Sequence, residues 1–168
     1  NPATRPIQLA QDLALAKLED AYTPWPLRPV MTKEHPVNPD PLYARHHGYA
    51  FQGYAFDATD TPTFLYRLGD LAIEDTSRPA QEDPEGTLHR ILRIEAPTPQ
   101  ILSMRVLTGN IIAASAFEFR IPQLTVRTKH PDTVLRSSLE KDGELELLIQ
   151  LTLPAGTSTL EIDYVPEP

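Results

Sequence analysis

The ten residues from Glu144 constrain the fold of this chain more than any others. Leu145, Leu147, Ile149, Leu151 and Leu153 occupy alternate positions, with Glu146, Leu148, Gln150 and Thr152 between them. A period of two sends the two sets to opposite sides of an extended chain, so the segment is predicted to be a strand with one face buried. Asp142-Gly143 before it is a turn signal, and Pro154-Ala155-Gly156 breaks it. A last strand follows, in which Leu160, Ile162 and Tyr164 alternate with Thr159, Glu161 and Asp163.

One half-buried strand needs partners, and the same texture recurs upstream. Aromatics and small residues fill Tyr49–Phe56, where Gly53 suggests a bulge or a close backbone approach. Regular alternation places Tyr49, Phe51 and Gly53 on one face, and Tyr54 and Phe56 on the other. Phe64, Tyr66 and Leu68 alternate along Pro62–Leu68, the Gly69-Asp70 turn follows, and residues 71–75 return. Residues 77–86 are polar and proline-bearing, and are expected to form a loop. Further strands are predicted over residues 87–95, 101–107, 111–113, 117–120, 124–128 and 133–137. About ten short strands with regular turns imply an all-β chain, an antiparallel sandwich or barrel, of which the β-sandwich is the expected form. No alternating helices appear, which argues against a parallel α/β sheet.

The N-terminal region reads differently. Leu9, Leu13 and Ala16 share one helical face, so a short helix is predicted over residues 7–20. Pro24, Pro26, Pro29, Pro36, Pro39 and Pro41 then fix φ and remove backbone donors. Residues 22–43 should therefore be an extended arm. The expected division is an arm over residues 1–44 and a β-sandwich domain over residues 45–168.

Charge and composition narrow the function. The formal net charge is −8, the wrong sign for neutralising phosphates, so nucleic acid is not an expected partner. There is no cysteine, which removes disulfides, thiolate metal sites, c-type haem attachment and cysteine nucleophiles. No stretch approaches the roughly 20 apolar residues of a membrane span.

The candidate functional residues are Trp25, His46, His47, Tyr49, Tyr54 and Asp57. Trp25 sits between two prolines and should pin the arm into a hydrophobic notch; ligand stacking is the alternative. His46 and His47 are adjacent, so on a strand they would point to opposite faces. A metal site would need one of them to meet a distant carboxylate such as Asp57. Tyr49, Phe51, Tyr54 and Phe56 could form a glycan platform, but the same residues build cores, and the core is the expected destination. His35 and His130 show no relay partner close in sequence, and His89 is expected as a surface or cross-strand residue. The serines lack a glycine-flanked elbow. An acidic pair involving Asp57 or Asp75 would be needed for glycoside hydrolysis. Arg67, Arg90, Arg93, Arg105, Arg120 and Arg127 fall in strand patterns and should pair with acids across strands.

Several of these segments also carry a resemblance. Phe51-Gln52-Gly53-Tyr54-Ala55-Phe56-Asp57, Pro62-Thr63-Phe64-Leu65-Tyr66 and Ile73-Glu74-Asp75 resemble a β-rich module of large periplasmic haem-binding proteins of the planctomycete–verrucomicrobial type. Many of those proteins also carry quinoprotein-dehydrogenase-like propellers. Leu88-His89-Arg90-Ile91-Leu92-Arg93-Ile94, the two C-terminal strands and Trp25-Pro26 extend the resemblance over residues 25–165. It implies a β-sandwich without catalytic residues, periplasmic or secreted, lying beside redox domains. Any haem c or quinone cofactor would belong to those partner domains, since this chain has no haem motif. The expected function is a non-catalytic module that packs on or positions cytochrome or quinoprotein dehydrogenase domains or subunits of a larger complex. A carbohydrate-binding module, with a glycan as partner, is the alternative, and an acidic-pair hydrolase ranks last.

Overall fold

The computed structural model describes residues 13–29, 31–34, 36–37, 40–82, 86–139 and 141–167. These form twelve strands and one four-residue helix. In chain order they are β1 (Leu15–Ala16), α1 (Tyr43–His46), β2 (Tyr49–Phe56), β3 (Pro62–Leu68), β4 (Leu71–Pro79), β5 (Leu88–Ala96) and β6 (Gln100–Gly109). There follow β7 (Ile112–Ala113), β8 (Glu118–Ile121), β9 (Leu124–Thr128), β10 (Thr133–Ser137), β11 (Leu145–Leu153) and β12 (Gly156–Pro166). Their pairing is antiparallel and makes a four-stranded sheet, β1-β6-β11-β10, and an eight-stranded sheet, β2-β3-β4-β5-β12-β9-β8-β7. The fold is thus an all-β antiparallel sandwich.

The core lies where the two sheets face each other. Leu147, Ile149, Leu151 and Leu153 of β11 meet Leu71, Ile73, Leu92, Ile94, Leu160 and Ile162 of the larger sheet. This is the alternate set of the β11 repeat, placed inward as its period requires. Each such side chain contributes roughly 1.5–3 kcal/mol by leaving water. β4 runs on to Pro79, so the expected loop begins later than residue 77. Lengthening β4 lets Thr76, Ser77 and Arg78 pair with Ile91, Arg90 and His89 of β5.

The N-terminal expectation is corrected where it can be seen. Residues 7–12 lie outside the described residues, but Leu15 and Ala16 form a strand rather than a helix. Leu15 pairs with Met104 and Ala16 with Ser103 at the edge of β6. Leu15 is fully buried, and its N–H and C=O both bond the Tyr49 hydroxyl, at 2.9 and 2.8 Å. A helix this short is marginal alone, and an open sheet edge offers these residues both backbone partners and a core.

From β1 the chain crosses the outer face of the smaller sheet. Trp25 is 4% exposed there, packed with Ala16 and Leu148, and its indole N–H donates to the Leu13 carbonyl at 3.0 Å. Beneath it sit charges that the β11 repeat had placed in solvent. Glu146 lies 3.6 Å from Arg105 and accepts from Arg136 at 2.7 Å, all three nearly buried. The Arg105 guanidinium stands 5.3 Å from the Trp25 ring centroid. The helix α1 then interrupts the arm; Tyr43 is buried and donates its hydroxyl to the Pro26 carbonyl.

Candidate functional site

The sheets differ in width, eight strands against four, and the mismatch leaves part of the larger sheet's inner face without an opposing layer. The uncovered part is the distal half of the β2–β3 hairpin. Its chemistry depends on one residue. In β2, Tyr49 pairs with Leu68 and Phe51 with Tyr66; then the register slips, and Gly53 pairs with Leu65, Tyr54 with Phe64 and Phe56 with Pro62. Gln52 is the extra residue of a β-bulge, and Gly53 takes φ +122°, a conformation side chains with a Cβ rarely adopt. Directly opposed residues share a face. Leu68, Tyr66, Phe64 and Pro62 alternate along β3 and therefore lie on one side. Tyr49, Phe51, Tyr54 and Phe56 thus all project to the same side, the inner one. The regular alternation that splits them between two faces is corrected by the bulge.

Their burial also departs from expectation. Tyr49 packs on the core and stacks on Tyr66, ring centroids 5.8 Å apart. Phe51, Tyr54, Phe56 and Phe64 are 65%, 60%, 61% and 48% exposed. They are not core residues, because the smaller sheet ends before it reaches them. Tyr54 meets Phe56 and Phe64 edge-on, at 5.5 and 6.5 Å between centroids and 77° and 60° between planes. Phe64 was seen in the sequence only as a strand residue; its sole signal was membership of the same aromatic-rich hairpin.

Where the covered and uncovered regions meet, a charged pair replaces apolar packing. Asp75 accepts from Arg90 Nε at 2.9 Å and Nη2 at 2.6 Å, and both side chains are largely buried. Tyr66 donates to Asp75 at 3.5 Å. Burial, with the Asp75 charge second, pushes the Tyr66 phenol above its ordinary range. Asp75 is therefore a clamped structural carboxylate. Of the other strand arginines, Arg93 pairs with Glu74, and Arg120 and Arg127 converge on Glu118.

The remaining candidate residues are scattered. His46 contacts Asp40 at 3.0 Å, and His47 lies edge-on to Tyr43 at 4.9 Å between centroids. Asp57 is at the far end of β2, about 26 Å along an eight-residue strand. There its carboxylate accepts from the N–H groups of Thr59 and Thr61 at 2.7 and 3.0 Å and from the Thr59 hydroxyl. The Thr59 hydroxyl bond is the leading cause holding the Asp57 carboxyl below its usual range. No group of three or more metal-ligating side chains occurs among the described residues. His35 lies outside them, and the His130 ring accepts from the Asp132 N–H.

Comparison with known proteins adds little to this geometry. No protein-family model and no curated protein matches the chain. Among solved structures it is similar to a putative kojibiose phosphorylase from human microbiome, at 16% identity and a TM-score of 0.40. That likeness covers 64% of this chain and 17% of the phosphorylase, and a correspondence so loose carries no argument about function.

Surface depressions lie elsewhere on the molecule. One, of about 320 Å³, lies between the N-terminal segment and the Gly48 and Gly69 turns, with Lys17, Pro24 and His47 on its walls. Another, of about 500 Å³, is walled by Ile111, Ile112, Ile121, Pro122 and Leu145. A further one, of about 300 Å³, surrounds His89, whose Nδ1 lies 2.5 Å from Asp163. Asp163 is the cross-strand partner of His89, and Arg127 pairs with Glu118 beside the same depression. The aromatic surface on β2 and β3 is the feature that local structure does not account for.

Proposed function

We propose that this is a non-catalytic β-sandwich module that docks other domains or subunits through the aromatic face of β2 and β3. The observation that carries the reading is the overhang itself. Phe51, Tyr54, Phe56 and Phe64 continue the hydrophobic inner face of the larger sheet into solvent. Contiguous apolar surface of this kind marks interaction sites, and aromatic residues dominate binding energy in them. The resemblance to modules of haem-binding and quinoprotein-dehydrogenase-like proteins makes a redox domain or subunit, in a periplasmic or secreted setting, the partner we propose. Cofactor chemistry would then reside in the partner.

A carbohydrate-binding reading draws on the same rings. Their arrangement favours it less. Tyr54 meets both neighbours at steep angles, so the rings do not form one flat stacking platform.

The test is purification of the native protein from its source, with the intact mass of the complex and the identity of every co-purifying chain. Haem- or quinone-bearing polypeptide should accompany this chain, or be continuous with it. A variant carrying Phe51→Ser, Tyr54→Ser and Phe56→Ser should fold normally and lose that association. Isolation of the wild type with no other polypeptide overturns the reading and directs attention to glycan screens.

A further inference from the structure

β2 is an open edge of the larger sheet: among the described residues, none of its main-chain groups bonds a further strand on the side away from β3. Natural edges are guarded by brevity, charge, proline or a bulge, and of these β2 carries only the bulge. The other three sheet edges follow that pattern, with two residues in β1 and in β7, and five in β10 including Arg136. β2 has eight residues, Tyr-Ala-Phe-Gln-Gly-Tyr-Ala-Phe, with no charge and no proline.

Outside its central Gln52-Gly53 that strand is chemically palindromic. Outward from its centre, Gln52 is matched by Gly53, Phe51 by Tyr54, Ala50 by Ala55 and Tyr49 by Phe56. In a regular strand such pairs would point to opposite faces, and an antiparallel mate in this register would set ring against backbone. The bulge at Gln52 shifts the phase by one residue and puts all four rings on one face. Matched positions of two antiparallel copies then present side chains to the same side in both halves of the strand.

The flanks differ in charge as well. Arg45 precedes β2, where His46 already contacts Asp40, and Asp57 and Asp60 follow it. Antiparallel alignment brings Arg45 of each copy toward the Asp57 and Asp60 end of the other, twice. The Gln52 amide reaches the Phe51 carbonyl only through a long contact of 3.5 Å, which a backbone donor would replace.

We propose that β2 pairs with β2 of a second copy of this chain, antiparallel and centred between Gln52 and Gly53, joining the two larger sheets edge to edge. The contact is isologous, as a twofold axis requires. It also merges the two uncovered aromatic faces into one surface. The proposal does not rest on the docking reading, because it is tested on the purified chain alone.

Sedimentation equilibrium from micromolar to near-millimolar concentration should approach twice the 18.8 kDa chain mass. Phe51→Glu and Tyr54→Lys, both at exposed positions, should each sediment as monomers with unchanged melting temperature. An equimolar mixture of the two should recover the dimer, because the new carboxylate of one copy faces the new ammonium of the other. A wild type that stays monomeric overturns the proposal. A dimer that survives both single substitutions overturns the edge, and a mixture that stays monomeric overturns the register. Hydrogen exchange on the wild type checks the same contact without substitution: amides of Tyr49–Phe56 should gain protection with concentration, and concentration-independent exchange counts against pairing through β2.

Discussion

Asp75 and Arg90 show how a single residue pair sets a boundary in this molecule. Both lie on the inner face of the larger sheet, at the point where its apolar floor passes from cover to solvent. Two hydrogen bonds hold the carboxylate to the guanidinium. Removing one partner leaves the other charge buried and uncompensated, which costs about 3–5 kcal/mol, whereas exposed pairs are worth under about 1 kcal/mol. Asp75→Asn should therefore lower the urea midpoint several-fold more than Glu74→Gln, which disrupts the exposed pair with Arg93. Equal shifts would mean that the Asp75 pair is solvated in solution. The sequence expected arginines to pair across strands, and these do. Which of the pairs would be buried was not legible, because burial depends on where the second sheet stops.

Among the elements, the segment from β1 to Trp25 was the least readable. Its apolar spacing satisfied a helical pattern, yet β1 is a strand, since the edge of β6 was vacant and Leu15 could reach the core there. Period-two logic likewise placed Glu146 in water. It is buried because residues 13–26 cross the outer face of the smaller sheet and carry Trp25 onto it. Trp25→Ala should cost about 3–5 kcal/mol, as large aromatic truncations do, with a further loss as water reaches Arg105 and Glu146. Chemical denaturation measures it. A loss below about 1 kcal/mol would show that this segment detaches in solution. β2 offers the converse lesson: Gly53 signals a bulge or a close backbone approach in the sequence, and of the two the bulge is there. Its consequence, four rings on one face, needed the observed register.

At the scale of the whole molecule, the sandwich should be sensitive to alkali. Burial is the leading cause that raises the phenols of Tyr49, Tyr66 and Tyr164 above their ordinary range. A folded pKa above the unfolded value of about 10 means that the unfolded chain releases these protons first. The stability they contribute is present in full below about pH 10 and is lost as pH rises beyond it. The melting temperature should be level from about pH 8 to pH 9.5 and fall steeply above pH 10, less steeply in Tyr66→Phe. A fall that is the same in that variant would assign the effect to other groups. What the sequence determined by itself was local: strand positions, turns, the inward set of β11 and the absence of cysteine chemistry, all governed by backbone periodicity and side-chain type. The tertiary structure alone decided which apolar residues are core. Tyr49 and Phe56 belong to one aromatic-rich strand, but the four-stranded sheet covers the first and stops short of the second, and burial is a property of what lies opposite.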